Sequence, residues 1–321
     1  MSVGMNIALL SRNALTIEAM VKAMPRFALK IYDDKHALAR NIGCCEVLVV
    51  QNKGFPAAVI DASVLNAAPV LKLIQHCGVS SDGTDVVTAR SRGIRVATTS
   101  GTNSQSVAEI GMHLLFSAAK KAREAQAIVR RGGLADLSCT ELAGKTMCLV
   151  GFGPIGKAIA RMARAIPMRV LAVRRRANRA ETLSAGADEA YSMAELTQAL
   201  RLADFVILAL PFVPETIGFF GVEAFAAMKP GACLINISRG PHVDRAALEK
   251  ALMDGRLSHY AADVFWREPA EPDDPLLQNE RVIITPHIGA DTAEANQRMA
   301  EAVRANVERF VGGLPLENLV A

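Results

Sequence analysis

The chain has 321 residues, 51% of them hydrophobic, which suits about two domains of ~150 residues and leaves little case for disorder. Lys and Arg number 36 against 32 Asp and Glu, a net charge of +4, short of the basic face of a nucleic-acid binder. No apolar run nears the ~18 residues of a membrane span, the stretch from Phe205 to Val213 being among the longest.

In chain order, strand-like apolar runs occupy residues 6–10, 47–50, 71–74, 95–97, 147–150, 169–173, 205–210, 233–237 and 282–284. Helix-period stretches fall between many of them, at 17–24, 106–130, 155–165, 194–199 and 245–254, and a last helix is expected over about 292–311. Repeated β-then-α alternation, with runs lacking polar alternation, predicts parallel sheets covered by helices. The first run is too short for a signal sequence and no basic segment precedes it. The six cysteines have neither zinc-like nor CxxC spacing, so they read as reduced thiols of a cytoplasmic protein, and no metal site is expected.

Two breaks organise the chain. Residues 100–104 (Ser-Gly-Thr-Asn-Ser) precede a helix-prone run to Arg130, too long for an ordinary crossover and read as one bridging helix, which Gly132 and Gly133 end. Residues 285–289 (Thr-Pro-His-Ile-Gly) precede the last helix.

Residues 149–158 (Leu-Val-Gly-Phe-Gly-Pro-Ile-Gly-Lys-Ala) carry GxGxxG after an apolar strand and at the start of a helix-period run, the context a dinucleotide site requires. Gly151 permits the tight turn, Gly153 lets a pyrophosphate approach, and Gly156 lets helix and strand pack. Pro154 and Ile155 open the helix whose free N–H groups face phosphate. About 20 residues on, where a NAD site would place a carboxylate, the chain reads Arg174-Arg175-Arg176-Ala177-Asn178-Arg179. Guanidinium groups bind a ribose 2′-phosphate that a carboxylate would repel, so NADP(H) is expected as the preferred cofactor, with NAD(H) possible.

Three later segments each end a strand: Arg239 follows one in Ile-Asn-Ile-Ser-Arg-Gly, Glu268 follows another after Ala262-Asp263, and His287 lies in Ile-Thr-Pro-His-Ile-Gly. Ligands of open α/β sheets bind beyond the carboxyl ends of strands, so these residues are expected to converge. Together they suit reduction of a 2-oxo acid: Arg239 binds the carboxylate and polarises the carbonyl, His287 donates the proton, and Glu268 keeps the imidazole protonated.

With these motifs in this order, the chain from about Leu71 to its end resembles the D-isomer-specific 2-hydroxyacid dehydrogenases. Residues 106–109 (Ser-Val-Ala-Glu), Leu210-Pro211 with Pro214-Glu215-Thr216, and the closing Gly-Leu-Pro-Leu-Glu-Asn at 313–318 agree as well. The resemblance implies two Rossmann-like, doubly wound parallel-sheet domains. A dinucleotide-binding domain (102–288) is inserted into a discontinuous, flavodoxin-like substrate and catalytic domain (1–101 and 289–321), with the active site in the cleft between them. It also implies Asp263 at the nicotinamide carboxamide, Pro211 and Thr216 on the cofactor side, a homodimer, and a D-2-hydroxy acid product. In the loop at 75–85, Val79 and Ser80 would bind the substrate carboxylate.

Ser80 stands where the family usually has glycine; either positive φ strains it there or its hydroxyl adds a polar contact. His242 replaces a usual apolar residue. His76, beside the substrate loop, reads as structural, and Lys53 as a solvated lysine rather than the seat of a second anionic group. The expected activity is NADPH-dependent reduction of a glyoxylate- or hydroxypyruvate-type 2-oxo acid. A NAD-dependent D-3-phosphoglycerate dehydrogenase is the closer alternative, disfavoured by the arginine run and by the little chain left after the last helix for a regulatory domain. A non-catalytic dinucleotide sensor or corepressor on the same fold is the other.

Overall fold

The computed structural model describes residues 5–55, 59–134, 136–175 and 178–320. Two compact units result, one from Met1–Ser106 with Ala290–Ala321, the other from Val107–Gly289.

The first unit contains β1 (Asn6–Leu10), β2 (Ala28–Tyr32), β3 (Val47–Val50), β4 (Leu73–His76) and β5 (Arg95–Ala97). They form a parallel sheet in the order β2-β1-β3-β4-β5. Successive side chains point to opposite faces, and both faces are covered. Ile7, Leu9, Val47, Val49 and Leu73 pack against Ala300, Val303 and Val307 of the C-terminal helix Ala293–Val311. Ala8, Leu10, Leu48, Val50 and Ile74 pack against Leu38, Ile60 and Leu65. Burial on two sides explains why β1 and β3 read as unbroken apolar runs. Buried polar pairs fix the distant C-terminal helix in this unit: Thr16 Oγ1 donates to Asn296 Oδ1 at 2.7 Å, and Asn306 Nδ2 to Gln75 Oε1 at 2.9 Å.

The second unit contains β6 (Thr146–Val150), β7 (Arg169–Arg174), β8 (Glu189–Ser192), β9 (Phe205–Leu208), β10 (Ala232–Asn236), β11 (Leu257–Ala262) and β12 (Val282–Ile284). Its order is β12-β11-β10-β9-β6-β7-β8, parallel throughout. The chain leaves β6 toward β7 and β8, then returns to the other side at β9. The carboxyl ends of β6 and β9 therefore flank the switch point where such sheets bind ligands.

Two features depart from the sequence expectation. Strands β2, β8 and β11 had no apolar run to announce them: β2 and β8 are edge strands, part exposed along their length, so burial demands less of their sequences, while interior β11 carries Ser258 and His259 and was expected only from its end at Ala262. The helix expected to run unbroken to Arg130 is two helices, Ser104–Ala119 and Ala122–Arg130, separated by Lys121 at φ 49°. Ala, Lys and Arg around the break are all good helix formers, so local propensity does not cause it. Tertiary contacts do. Arg123 donates to the carbonyls of Leu277 (2.5 Å), Val282 (2.6 Å) and Asn279 (3.2 Å), and Glu124 pairs with His259 at 2.7 Å. The second helix turns to reach them, and it ends at Gly132 with φ 71°.

Arg123→Ala should lower the stability of the second unit by about 2 kcal/mol, since charged donors to three carbonyls are lost. Lys120→Ala, which removes one exposed bond to Thr140 O, should cost under about 0.5 kcal/mol. Denaturant unfolding of the two variants checks the contrast.

Candidate active site

The glycine-rich turn follows β6 directly. Gly151 has φ 101°, and a Cβ there would lie 2.2 Å from the carbonyl oxygen of Ala209, just past β9. The switch point thus closes to backbone contact, which only glycine allows. Gly153 ends the turn as the cap of helix Pro154–Arg164, with Pro154 at its first position, Ile155 next and Gly156 buried behind. No side chain caps this helix and no acid stands in its first turn, while a Cβ on Gly153 would meet no atom within 4 Å. Free N–H groups beneath open space suit a pyrophosphate.

At the end of β7, Arg174 donates to Glu181 Oε2 (3.1 Å) and Thr182 Oγ1 (3.2 Å), and Lys157 donates to Glu181 Oε1 at 3.0 Å. Arg175 is exposed. Arg176 lies outside the described residues.

Asp263, just past β11, is 4% exposed. Its Oδ1 accepts from Thr285 Oγ1 (2.6 Å) and the Ile288 amide (2.9 Å), and its Oδ2 accepts from the Gly289 amide (2.7 Å). Burial raises its carboxyl pKa above the usual range, and these bonds with the nearby His287 only partly offset that. The three bonds clamp the loop after β12, in which His287 sits at φ 56°, a conformation costly for any residue but glycine. His287 Nδ1 lies 2.6 Å from Glu268 Oε2, and Glu268 Oε1 accepts from the Phe265 amide at 3.0 Å. Burial raises the Glu268 carboxyl, but the hydrogen bond and charge of His287, the Phe265 amide and the Arg239 charge bring it below its ordinary value. Glu268 is therefore an anion held against the imidazole, which leaves Nε2 as the other ring nitrogen.

Arg239 follows β10, half-buried, with its Nη1 donating to Ser238 O at 2.8 Å. Gly240 presses on the segment bearing Glu268: a Cβ there would stand 2.2 Å from Phe265 C and 2.5 Å from Trp266 N. That approach brings the Arg239 turn and the Glu268 loop together. Arg239, Glu268 and His287 thus lie at the carboxyl ends of adjacent strands β10, β11 and β12.

Sequence reasoning missed a polar relay behind Arg239. Asn236 Oδ1 accepts from the Ser238 amide (3.0 Å) and hydroxyl (2.7 Å), and its Nδ2 donates to Arg239 O at 2.8 Å. His242, fully buried, places Nδ1 2.7 Å from Ser238 Oγ and Nε2 3.1 Å from Thr216 Oγ1. The Thr216 hydroxyl lies 2.8 Å from Val213 O and 3.2 Å from the carbonyl of exposed Pro211. His242 therefore ties the Pro211–Thr216 loop to the turn carrying Arg239. Its unusual place in the sequence was the one available signal.

In the first unit, Val79 is exposed and Ser80 half-buried beyond β4. Gly78 takes the positive φ of 107° and Ser80 does not. The hydroxyl of Ser80 accepts from the Asp82 amide at 3.2 Å, so the polar-contact alternative is the one realised. His76 is fully buried with Nε2 2.8 Å from Thr84 Oγ1, and burial depresses its pKa to about 4, which fits a structural role. Lys53 is not a solvated lysine: it forms an ion pair with Asp291, which also accepts from Asn13 Nδ2 at 2.8 Å.

Asp263→Asn should turn an amide donor or a weaker acceptor toward the Gly289 N–H, costing about 1–3 kcal/mol and lowering turnover through a loosened His287 loop. Denaturation and kcat measured on one preparation check both effects. His242 has its pKa lowered to about 4, mainly by burial and next by the Arg239 charge, against 6.5 for the free side chain. Between those values the unfolded chain binds the proton more readily, so stability should fall as pH drops from 6.5 toward 4 and hold steady above. In urea titrations across that range, His242→Gln should show a flatter pH dependence than the wild type.

A family model described as "D-isomer specific 2-hydroxyacid dehydrogenase, NAD binding domain" matches residues 112–289. A glyoxylate reductase of Korarchaeum cryptofilum is 34% identical over 93% of this chain and 91% of its own. A D-3-phosphoglycerate dehydrogenase of Archaeoglobus fulgidus is 33% identical over 89% of this chain, and the chain spans only 53% of that longer protein. Among solved structures, an NADPH-dependent glyoxylate/hydroxypyruvate reductase of Sinorhizobium meliloti, in complex with NADP and malonate, superposes with a TM-score of 0.85 at 26% identity, over 99% of this chain and 97% of its own. Joined to a glycine-rich switch point and an Arg, Glu and His set on three adjacent strand ends, these matches place the chain in the D-isomer specific 2-hydroxyacid dehydrogenase family.

Proposed function

We propose that the protein reduces a small 2-oxo acid of the glyoxylate or hydroxypyruvate type to the D-2-hydroxy acid, preferring NADP(H) over NAD(H). The observation carrying this reading is the 2.6 Å contact between His287 Nδ1 and anionic Glu268, with the Arg239 charge acting on the same carboxylate. The nicotinamide, when bound, supplies the hydride to the carbonyl carbon. Gly151, Gly153, Pro154, Ile155 and Gly156 would hold the pyrophosphate, with Arg174, Arg175 and Arg176 at the ribose end and Pro211, Thr216 and Asp263 along the remainder. Asp263 spends its hydrogen bonds on the His287 loop, so its contribution is chiefly to position that loop.

Arg239 binds the substrate carboxylate and polarises the carbonyl, whose oxygen becomes negative as the reaction proceeds. His287 protonates that oxygen through Nε2. Glu268 orients the ring through Nδ1, which leaves Nε2 to face the substrate. Val79 and Ser80 are the further substrate contacts in this reading. The NADP(H) preference is supported by Arg174 and Lys157, two cations at the ribose end of the turn, and by the NADP named for the Sinorhizobium relative. A homodimer rests on the family resemblance. A cytoplasmic setting rests on the six cysteines, all free thiols.

Glyoxylate or hydroxypyruvate added to enzyme and NADPH should consume the cofactor, with a higher kcat/KM than NADH supports. His287→Gln should lose about 10²–10⁴-fold in kcat while binding NADPH as the wild type does. Turnover confined to 3-phosphohydroxypyruvate and NADH would replace this reading with the phosphoglycerate dehydrogenase one. Tight cofactor binding without turnover on any 2-oxo acid would replace it with the sensor.

A further inference from the structure

Glu181 lies between two cations contributed by separate parts of the dinucleotide fold. Its Oε1 is 3.0 Å from Nζ of Lys157, the residue after the last glycine of the turn, and its Oε2 is 3.1 Å from Nη1 of Arg174, the last residue of β7. In an open parallel sheet with its phosphate turn after the first strand, the adenosine ribose sits at the carboxyl end of the next strand, here β7. Lys157 and Arg174 are the described cations paired there, and the group they already share is a carboxylate. A carboxylate joining an ammonium to a guanidinium has the sign of charge, and takes the hydrogen bonds, that a phosphate monoester would take from the same pair.

We propose that Glu181 is an internal counter-anion standing in the 2′-phosphate position of this site, so that a 2′-phosphorylated dinucleotide must displace it and Glu181 sets how strongly NADP(H) is preferred over NAD(H). The inference rests on the NADP(H) reading above and gives it a specificity-determining residue.

Three features make Glu181 displaceable while the cations stay in place. Its side chain is 44% exposed, so it can swing into solvent at little cost in burial, and exposed ion pairs are individually weak. Arg174 keeps a second partner, Thr182 Oγ1 at 3.2 Å, whose hydroxyl is anchored to Asn178 O at 2.7 Å. Asn178 Oδ1 also accepts from the Glu181 amide at 3.2 Å, which holds the backbone while the side chain moves. Bonds to Lys157 first and Arg174 second hold the Glu181 carboxyl below its ordinary pKa, so the group is anionic at neutral pH and a phosphate beside it meets repulsion until it leaves. A dinucleotide with a free 2′-hydroxyl meets no such repulsion.

The test measures binding of 2′,5′-ADP and 5′-AMP to the full chain by calorimetry, for wild type, Glu181→Gln, Glu181→Ala and Arg174→Gln, each checked for an unchanged melting temperature. Glu181→Gln, which keeps size and loses charge, should bind 2′,5′-ADP about fivefold more tightly, the scale of one exposed charge pair, with 5′-AMP affinity within about twofold. Glu181→Ala should shift the same way, and Arg174→Gln should weaken 2′,5′-ADP alone. Unchanged 2′,5′-ADP affinity in both Glu181 variants overturns the inference. So does weakened 5′-AMP binding, which would make Glu181 an acceptor for the ribose hydroxyl. The wild-type ratio judges the cofactor reading separately. Should the wild type favour 5′-AMP while Glu181→Gln gains 2′,5′-ADP affinity, the NADP(H) preference fails and the counter-anion role stands.

Discussion

The carboxylate of Asp263 is the point on which the geometry of the candidate site depends. A buried anion is costly unless its lone pairs are satisfied, and this one is satisfied by a hydroxyl and two amides of a single loop, Thr285 to Gly289. Those bonds hold the backbone of His287 in the left-handed region, which costs a residue other than glycine about 1–3 kcal/mol. With the backbone held, the ring meets Glu268. One buried acid thus spends its hydrogen bonding on positioning another residue's imidazole.

Close backbone approach does the complementary work. Gly151 lies against Ala209 at the switch between β6 and β9, and Gly240 against Phe265 and Trp266. At each place a side chain is absent so that two strand-end loops can touch, and the glycine-rich turn and the turn bearing Arg239 are located by that contact. Behind Arg239, the Asn236, Ser238, His242 and Thr216 relay satisfies buried polar groups between the end of β10 and two loops. A buried network of this kind favours one arrangement, because breaking any member leaves its partner unsatisfied.

Legibility followed apolar residue type, so that even the edge strands β5 and β12 were read while buried β11, with Ser258 and His259, was not among the apolar runs. Strands β1, β3, β6, β9 and β10 could be read because two covered faces require apolar residues throughout, whereas β2 and β8, at the sheet edges, carry no such requirement. The GxGxxG turn and the positions of Arg239, Glu268 and His287 were legible because chemistry restricts residue type and spacing there. Lys53 was not, since its partner Asp291 lies 238 residues away. The break at Lys121 had no local cause either; carbonyls near β12 and His259 on β11 draw the second helix out of line.

The sequence by itself determined the alternation of elements, the glycine-rich turn and the residue types of the candidate site, since each is a constraint on local residue type. Only the tertiary structure decided that Asp263 clamps the His287 loop, that His242 joins two loops, and that Glu181 pairs with both Lys157 and Arg174 at the end of β7. Those outcomes depend on which side chains from distant segments meet, and a hydrogen bond between residues 20 or 200 positions apart leaves no periodicity to read.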